Sequence, residues 1–127
     1  MTEERIPYSA RHEKFRLTVP GNPIPKGRPR VVNGHAYTPQ RTREYEARVR
    51  MAAALAWKQP AMTGPLAIQL TFYRENLRRA DFDNLTKAIV DALQGVVLTD
   101  DNQIVHAVIW KRLDRVRPRV EIIVEEV

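Results

Sequence analysis

Leu66, Ile68, Leu70 and Phe72 lie two apart and alternate with Ala67, Gln69, Thr71 and Tyr73. A helix cannot gather such a set onto one side, whereas a strand points successive side chains to opposite faces. The segment therefore reads as a strand with one buried face. A few residues later the period changes. Leu85, Ile89 and Leu93 fall four apart, with Ala88 and Ala92 beside them, which predicts a helix from about Asn84 to Gln94 ended by Gly95. A chain carrying both periods buries its strand face against its helix stripe, so it folds in layers of sheet and helix.

The remaining segments fill in those layers. Phe15, Leu17 and Val19 alternate with Lys14, Arg16 and Thr18, a strand stopped by Pro20-Gly21-Asn22-Pro23. The proline-rich stretch Pro23-Ile-Pro-Lys-Gly-Arg-Pro29 excludes a helix there. Asn33-Gly34, between Val31-Val32 and His35-Ala36-Tyr37, is a strong hairpin signal. A helix follows, with Thr42 as expected cap and Tyr45, Val49, Ala52 or Ala53, and Ala56 as its apolar stripe, leaving Arg43, Arg48 and Arg50 outside. Pro60 and Gly64-Pro65 end it. Ile104–Leu113 and Val120–Val124 read as two further strands, joined by Arg115-Val-Arg-Pro-Arg119 as a basic hairpin. The expected fold is α+β (mixed α/β), two main helices on a small mixed sheet. With 127 residues, it is expected as one domain over residues 14–127 behind a flexible leader, residues 1–13.

Several chemistries are excluded. The chain has no cysteine, so disulfides, thiolate metal sites and a cysteine nucleophile are ruled out. Its only serine is Ser9, in the leader, and no glycine-rich phosphate loop is present. His12, His35 and His106 are scattered without ligand spacing, and Tyr37, Tyr45, Trp57 and Trp110 are read as core or interface residues. No apolar run approaches the roughly 20 residues that a membrane helix needs. The first residues lack a secretory pattern, making the cytoplasm the expected location.

Charge is uneven. Residues 1–64 carry 12 Lys and Arg against 5 Asp and Glu, whereas residues 65–127 carry 9 against 10. A basic half suits a polyanionic partner, because cations that neutralise phosphates release condensed counterions. Lys26, Arg28 and Arg30 stand in a proline-stiffened loop, and Arg78 and Arg79 come just before Asp81. All five are candidate DNA contacts, arginine being suited to bidentate phosphate binding.

Asp81, Asp83, Asp91, Asp100 and Asp101 lie within 21 residues. Aspartate is disfavoured inside helices and strands, so each needs a local reason to be there. In an extended segment Asp81 and Asp83 would point the same way, and Asp83 sits where a helix cap belongs. Asp83, Lys87 and Asp91 follow at helical spacing, on the face away from Leu85, Ile89 and Leu93. Converging carboxylates can hold Mg²⁺, a hard cation that prefers oxygen, and a nearby lysine can bind a phosphate or a leaving oxyanion. The alternative for each residue alone is ordinary: a cap, a surface ion pair, or a turn at Asp100-Asp101-Asn102.

The pattern Asp81-x-Asp-Asn-Leu-x-Lys87, then Asp91-Ala-Leu93, then Asp100-Asp-x-Gln-Ile104, resembles the RusA-type Holliday junction resolvases. Pro25-Lys-Gly-Arg-Pro-Arg30 and Tyr37-Thr-Pro39 add to the likeness, which spans roughly residues 15–125. The resemblance implies a homodimer that binds four-way DNA junctions and makes paired, symmetric nicks in recombination and repair, using Mg²⁺ or Mn²⁺. It implies Asp81, Asp83 and Asp101 as catalytic metal ligands and Lys87 as a further catalytic residue, with Asp91 and Asp100 in support. Ala80 interrupts an arginine run that some relatives carry up to the first aspartate. The rival readings are a non-catalytic junction-binding protein and a metal-dependent nuclease for other branched nucleic acids.

Overall fold

The computed structural model describes residues 13–78 and 80–127, and for Arg30 the backbone alone. The strands are β1 (Lys14–Pro20), β2 (Arg30–Val32), β3 (His35–Tyr37), β4 (Leu66–Arg74), β5 (Ile104–Leu113) and β6 (Arg119–Glu126). The helices are α1 (Gln40–Ala56) and α2 (Phe82–Leu93), with a short 3-10 turn at Asp101–Gln103. Most of the expected leader lies outside the described residues. Glu13, its last residue, already belongs to the sheet end, its carbonyl accepting from the Glu126 N–H at 3.0 Å.

Four strands form one mixed sheet in the order β1-β6-β4-β5, and β2 and β3 form a separate hairpin. β4 runs antiparallel to β6 but parallel to β5. Parallel neighbours need a crossover, and α2 supplies it. The alternation in β4 does what its period requires. Leu66, Ile68, Leu70 and Phe72 are buried, and register aligns the last three with Val124, Ile122 and Val120 of β6 and, through it, with Phe15, Leu17 and Val19 of β1. Against this face pack Tyr45, Val49 and Ala53 of α1 and Leu85, Ala88, Ile89, Ala92 and Leu93 of α2, all in one core.

Three sequence expectations are corrected. β5 and β6 are not a hairpin pair: β4 lies between them, because pairing β5 parallel to β4 occupies one edge of β4 and β6 takes the other. Thr42 does not cap α1, whose N-cap is Pro39. It is buried one turn inside, its hydroxyl accepting from the Gly27 N–H at 3.0 Å and donating to the Pro25 carbonyl at 3.4 Å. Ala56 is exposed rather than part of the buried stripe. Tyr45 and Trp57 are core residues as read, whereas Tyr37 and Trp110 are exposed.

Two glycines are needed where they stand. A side chain on Gly27 would meet Pro39 Cγ at 2.9 Å, so only glycine lets the basic loop lie this close to α1. Gly95 follows α2 with φ +85 and donates to the Leu98 carbonyl at 2.7 Å, turning the chain toward β5.

Phe72 is fully buried at the centre of the sheet. Phe72→Ala is expected to cost about 3–5 kcal/mol, read as a lowered midpoint in urea denaturation.

Candidate active site

α2 and the start of β5 bound an open cleft of about 610 Å³. Asp83, Lys87, Asp91 and Asp101 all line it, over an apolar floor that includes Val90, Ile104, Ala107 and Ile109. Four of the residues picked out in the sequence thus share one surface. Asp81 and Asp100 are exposed and do not line the cleft.

Asp81, not Asp83, is the N-cap of α2, and its side chain makes no capping bond. Asp83 is already helical, in the first turn, so strand alternation does not orient this pair. What fixes Asp81 is the loop before it. Lys111 on β5 donates to the Ala80 carbonyl at 2.9 Å. Buried Arg74, at the end of β4, donates to the Arg78 carbonyl at 2.9 Å. Burial lowers the Arg74 pKa, and the nearby Glu75 carboxylate partly offsets this. The guanidinium serves as a structural pin beneath the loop.

Asp101 is held differently. Gln103 is buried, and its Oε1 accepts from the Thr99 N–H at 2.7 Å, the Thr99 hydroxyl at 2.8 Å and the Asp100 N–H at 2.8 Å. Its Nε2 donates to the carbonyls of Met62 at 2.8 Å and Gly64 at 3.0 Å. One amide therefore locks the turn to the strand entry of β4. The Asp100 carboxylate caps this turn, accepting from the Asn102 N–H at 3.3 Å. Gln94 Oε1 accepts from the Asp101 N–H at 3.2 Å.

The five carboxylates divide into two groups. Asp91 is engaged within the protein: Lys26 Nζ lies 3.0 Å from its Oδ2, Lys87 Nζ lies 3.9 Å away, and Gln94 Nε2 donates to Oδ1 at 3.3 Å. Asp100 is engaged as the turn cap. Asp81, Asp83 and Asp101 accept no hydrogen bond and enter no ion pair with their carboxylates among the described residues. These three exposed acids offer the hard oxygen donors that Mg²⁺ prefers, and the donor set fits such an ion. Among the described residues, however, no three acidic or histidine side chains are gathered closely enough to hold a metal.

Lys26, a candidate DNA contact in the sequence, is tied down within the protein. Its ammonium bonds Glu46 Oε2 at 2.8 Å and Asp91 Oδ2 at 3.0 Å, and its N–H donates to the Asn84 carbonyl at 2.8 Å. It thereby staples the basic loop to both helices. Burial acts to lower its pKa, but the bonds and charges of Glu46 and Asp91 prevail and raise it. Arg28 and Arg78 are exposed beside this framework. The Arg30 side chain and Arg79 lie outside the described residues.

Sequence reading missed Gln103, Gln94, Lys111, Arg74 and Arg50. Arg50 donates to the carbonyls of Asp91 at 2.9 Å and Gln94 at 3.2 Å, satisfying the end of α2. Only Gln103 carried a signal, as the glutamine of Asp-Asp-x-Gln-Ile. A further basic surface was read only as a hairpin. Asp114 Oδ1 accepts from the N–H groups of Val116 at 3.0 Å and Arg117 at 2.9 Å, making a tight turn that exposes Arg115, Val116 and Arg117.

The fold and these acids define a small mixed α/β domain whose carboxylates lie beside basic segments, as suits a phosphodiester hydrolase acting on a polyanion. The family model described as Endodeoxyribonuclease RusA matches residues 20–125. The chain belongs to the RusA endodeoxyribonuclease family. It is similar to the uncharacterized protein YqaN of Bacillus subtilis (strain 168), 27% identical over 138 residues, covering 89% of this chain and 96% of that one. It is also similar to the crossover junction endodeoxyribonuclease RusA of Aquifex aeolicus (strain VF5), 26% identical over 106 residues, covering 81% and 84%. No helix among the described residues is long and apolar enough to cross a membrane.

Gln103→Leu strands the donors of Thr99 and Asp100 and is expected to cost roughly 2–4 kcal/mol in denaturant titrations. Endonuclease activity is expected to fall about tenfold or more below the melting range, because Asp101 loses its support. Lys26→Met is expected to lower stability by roughly 1–3 kcal/mol at neutral pH. Because the folded Lys26 pKa is raised above 10.5, its contribution is complete below that value. The contribution is lost as pH rises through the folded value, so denaturation midpoints of variant and wild type should converge in strong alkali.

Proposed function

We propose that the protein is a Mg²⁺-dependent homodimeric endonuclease, with Mn²⁺ able to substitute, that resolves four-way DNA junctions in the cytoplasm by paired symmetric nicks during recombination and repair. The observation that carries this reading is the division of the acids. The carboxylates of Asp81, Asp83 and Asp101 have no protein partner among the described residues, whereas those of Asp91 and Asp100 are spent on structure. Carboxylates left without a protein partner beside exposed cations keep their oxygens available to a hard divalent ion.

In this reading Asp81, Asp83 and Asp101 hold the ion. When bound, the ion supplies charge stabilisation at the phosphate and acidifies its water. Hydrolysis adds the oxygen of water to phosphorus and breaks one P–O ester bond, and the leaving oxygen takes up a proton. Lys87, on the cleft wall with its side chain largely exposed, is placed to pair with the phosphate or the leaving oxyanion. Arg28, Arg30, Arg78 and Arg79 contact the DNA backbone, and Lys26 holds the Arg28 loop in position for them.

The test is a synthetic four-way junction with Mg²⁺, set beside a fork, a flap, a linear duplex and an RNA junction. Symmetric nicking of the four-way junction, abolished by chelation and reduced roughly 10²–10⁴-fold by Asp83→Asn with binding retained, is the expected outcome. Binding without cleavage under any divalent ion, or unimpaired nicking by Asp83→Asn, contradicts it. A clear preference for one of the other substrates would reassign the substrate.

A further inference from the structure

A second groove lies outside the cleft of the acids, at one end of the sheet. It runs between the loop after β4 and the turn joining β5 to β6. It holds about 780 Å³ and is lined by Glu75, Asn76, Leu77, Arg78, Leu113 and Arg115. Both walls are held in shape. On one side the Arg74 guanidinium donates to the carbonyls of Asn76 at 3.4 Å and Arg78 at 2.9 Å, and Asn76 Oδ1 accepts from the Arg78 N–H at 3.0 Å. On the other, the Asp114 carboxylate accepts from the N–H groups of Val116 and Arg117 and from Arg119 Nη1 at 3.0 Å. The Asp114 N–H donates to the Arg74 carbonyl at 2.8 Å, which ties one wall to the other.

The lining mixes two chemistries. Leu77 and Leu113 are about half exposed, one on each wall. Arg78 and Arg115 are exposed, and among the described residues neither guanidinium pairs with a carboxylate. A stacked duplex would satisfy the arginines and leave the leucines facing water, because its base faces are buried on one another. A nucleotide out of the stack satisfies both. Its base faces take apolar side chains on either side, and its phosphates take guanidinium groups. The volume falls within the range of about 300–1,000 Å³ usual for small-ligand clefts.

We infer that this groove holds one unstacked nucleotide of the DNA, its base between Leu77 and Leu113 and its flanking phosphates on Arg78 and Arg115. The inference rests on the junction-nuclease reading above. Strands exchange partners at a four-way branch point, where bases lose a stacking neighbour. Arg78 stands three residues before Asp81, at most about 10–11 Å of chain. One DNA strand advances about 3.4 Å per nucleotide, so the held nucleotide lies within about three nucleotides of the acids. The Glu75 carboxylate and the Asn76 amide N–H, unbonded among the described residues, offer an acceptor and donors to the base edge. The groove thus positions the strand to be cut.

Two experiments test this, one of them without a junction. In the first, single-stranded pentathymidylate is titrated, free of metal, into protein with ¹³C-labelled leucine methyls. The methyl signals of Leu77 and Leu113 should shift, and inorganic phosphate should leave them in place. Leu77→Ala with Leu113→Ala should weaken pentathymidylate binding about fivefold or more. Its midpoint in urea should stay near that of the wild type, because both side chains are exposed. Methyls unmoved at the highest oligonucleotide concentration reached overturn the inference. In the second, 2-aminopurine, whose emission rises when it leaves the stack, replaces in turn each base within three positions of the branch point, with EDTA preventing cleavage. One position should brighten on binding, and the double variant at equal saturation should abolish that rise. Junction binding with no position brightening, or a rise that the double variant leaves unchanged, overturns the inference and leaves the nuclease reading standing. If the wild type neither binds nor nicks the junction, that reading fails, and the methyl titration still decides whether the groove takes a base.

Discussion

The parallel pairing of β4 with β5 governs the rest of the molecule. Two parallel neighbours cannot be joined by a tight turn, so the chain must return across the sheet, and α2 makes that return. The return carries Asp81 and Asp83 to one end of the helix and delivers Asp101 at the other. The acids owe their positions to this crossover, and so does the cleft between α2 and β5. The same pairing makes β5 the sheet edge and displaces β6 to the far side of β4.

Around that crossover the polar groups fall into two kinds of work. Gln103, Arg74, Lys111, Arg50 and Lys26 spend their hydrogen-bonding capacity on backbone carbonyls, neighbouring N–H groups or internal carboxylates. They fix loops that would otherwise be free to move. Asp91 and Asp100 belong with them. The stiffening thus comes from residues engaged within the protein, which leaves Asp81, Asp83, Asp101 and Lys87 facing solvent on a rigid frame. Sites built on such a frame hold reacting groups more closely than flexible loops do.

Much of the fold was legible because burial imposes a period. Alternation in Leu66–Phe72 and four-residue spacing in Leu85–Leu93 each admit one local structure, and the Asn33-Gly34 turn admits one hairpin. The pairing of strands was not legible, since the same alternation suits a hairpin between β5 and β6 or a shared neighbour in β4. Caps misled for a related reason. Thr42 and Asp83 are both good cap residues by type, but the chain enters each helix earlier, at Pro39 and Asp81. The candidate site was legible as a list of residues through the family pattern. Its division into free and engaged acids was not, because Lys26 reaches Asp91 from 65 positions away, a contact that no local spacing records.

Anomalous diffraction from crystals grown with Mn²⁺ tests the central assignment most directly. The assignment predicts a peak bounded by carboxylate oxygens of Asp81, Asp83 and Asp101, with Lys26 still bonded to Asp91. A peak seated instead on Asp91 or Asp100, or no peak at these acids in crystals of active protein, would contradict it.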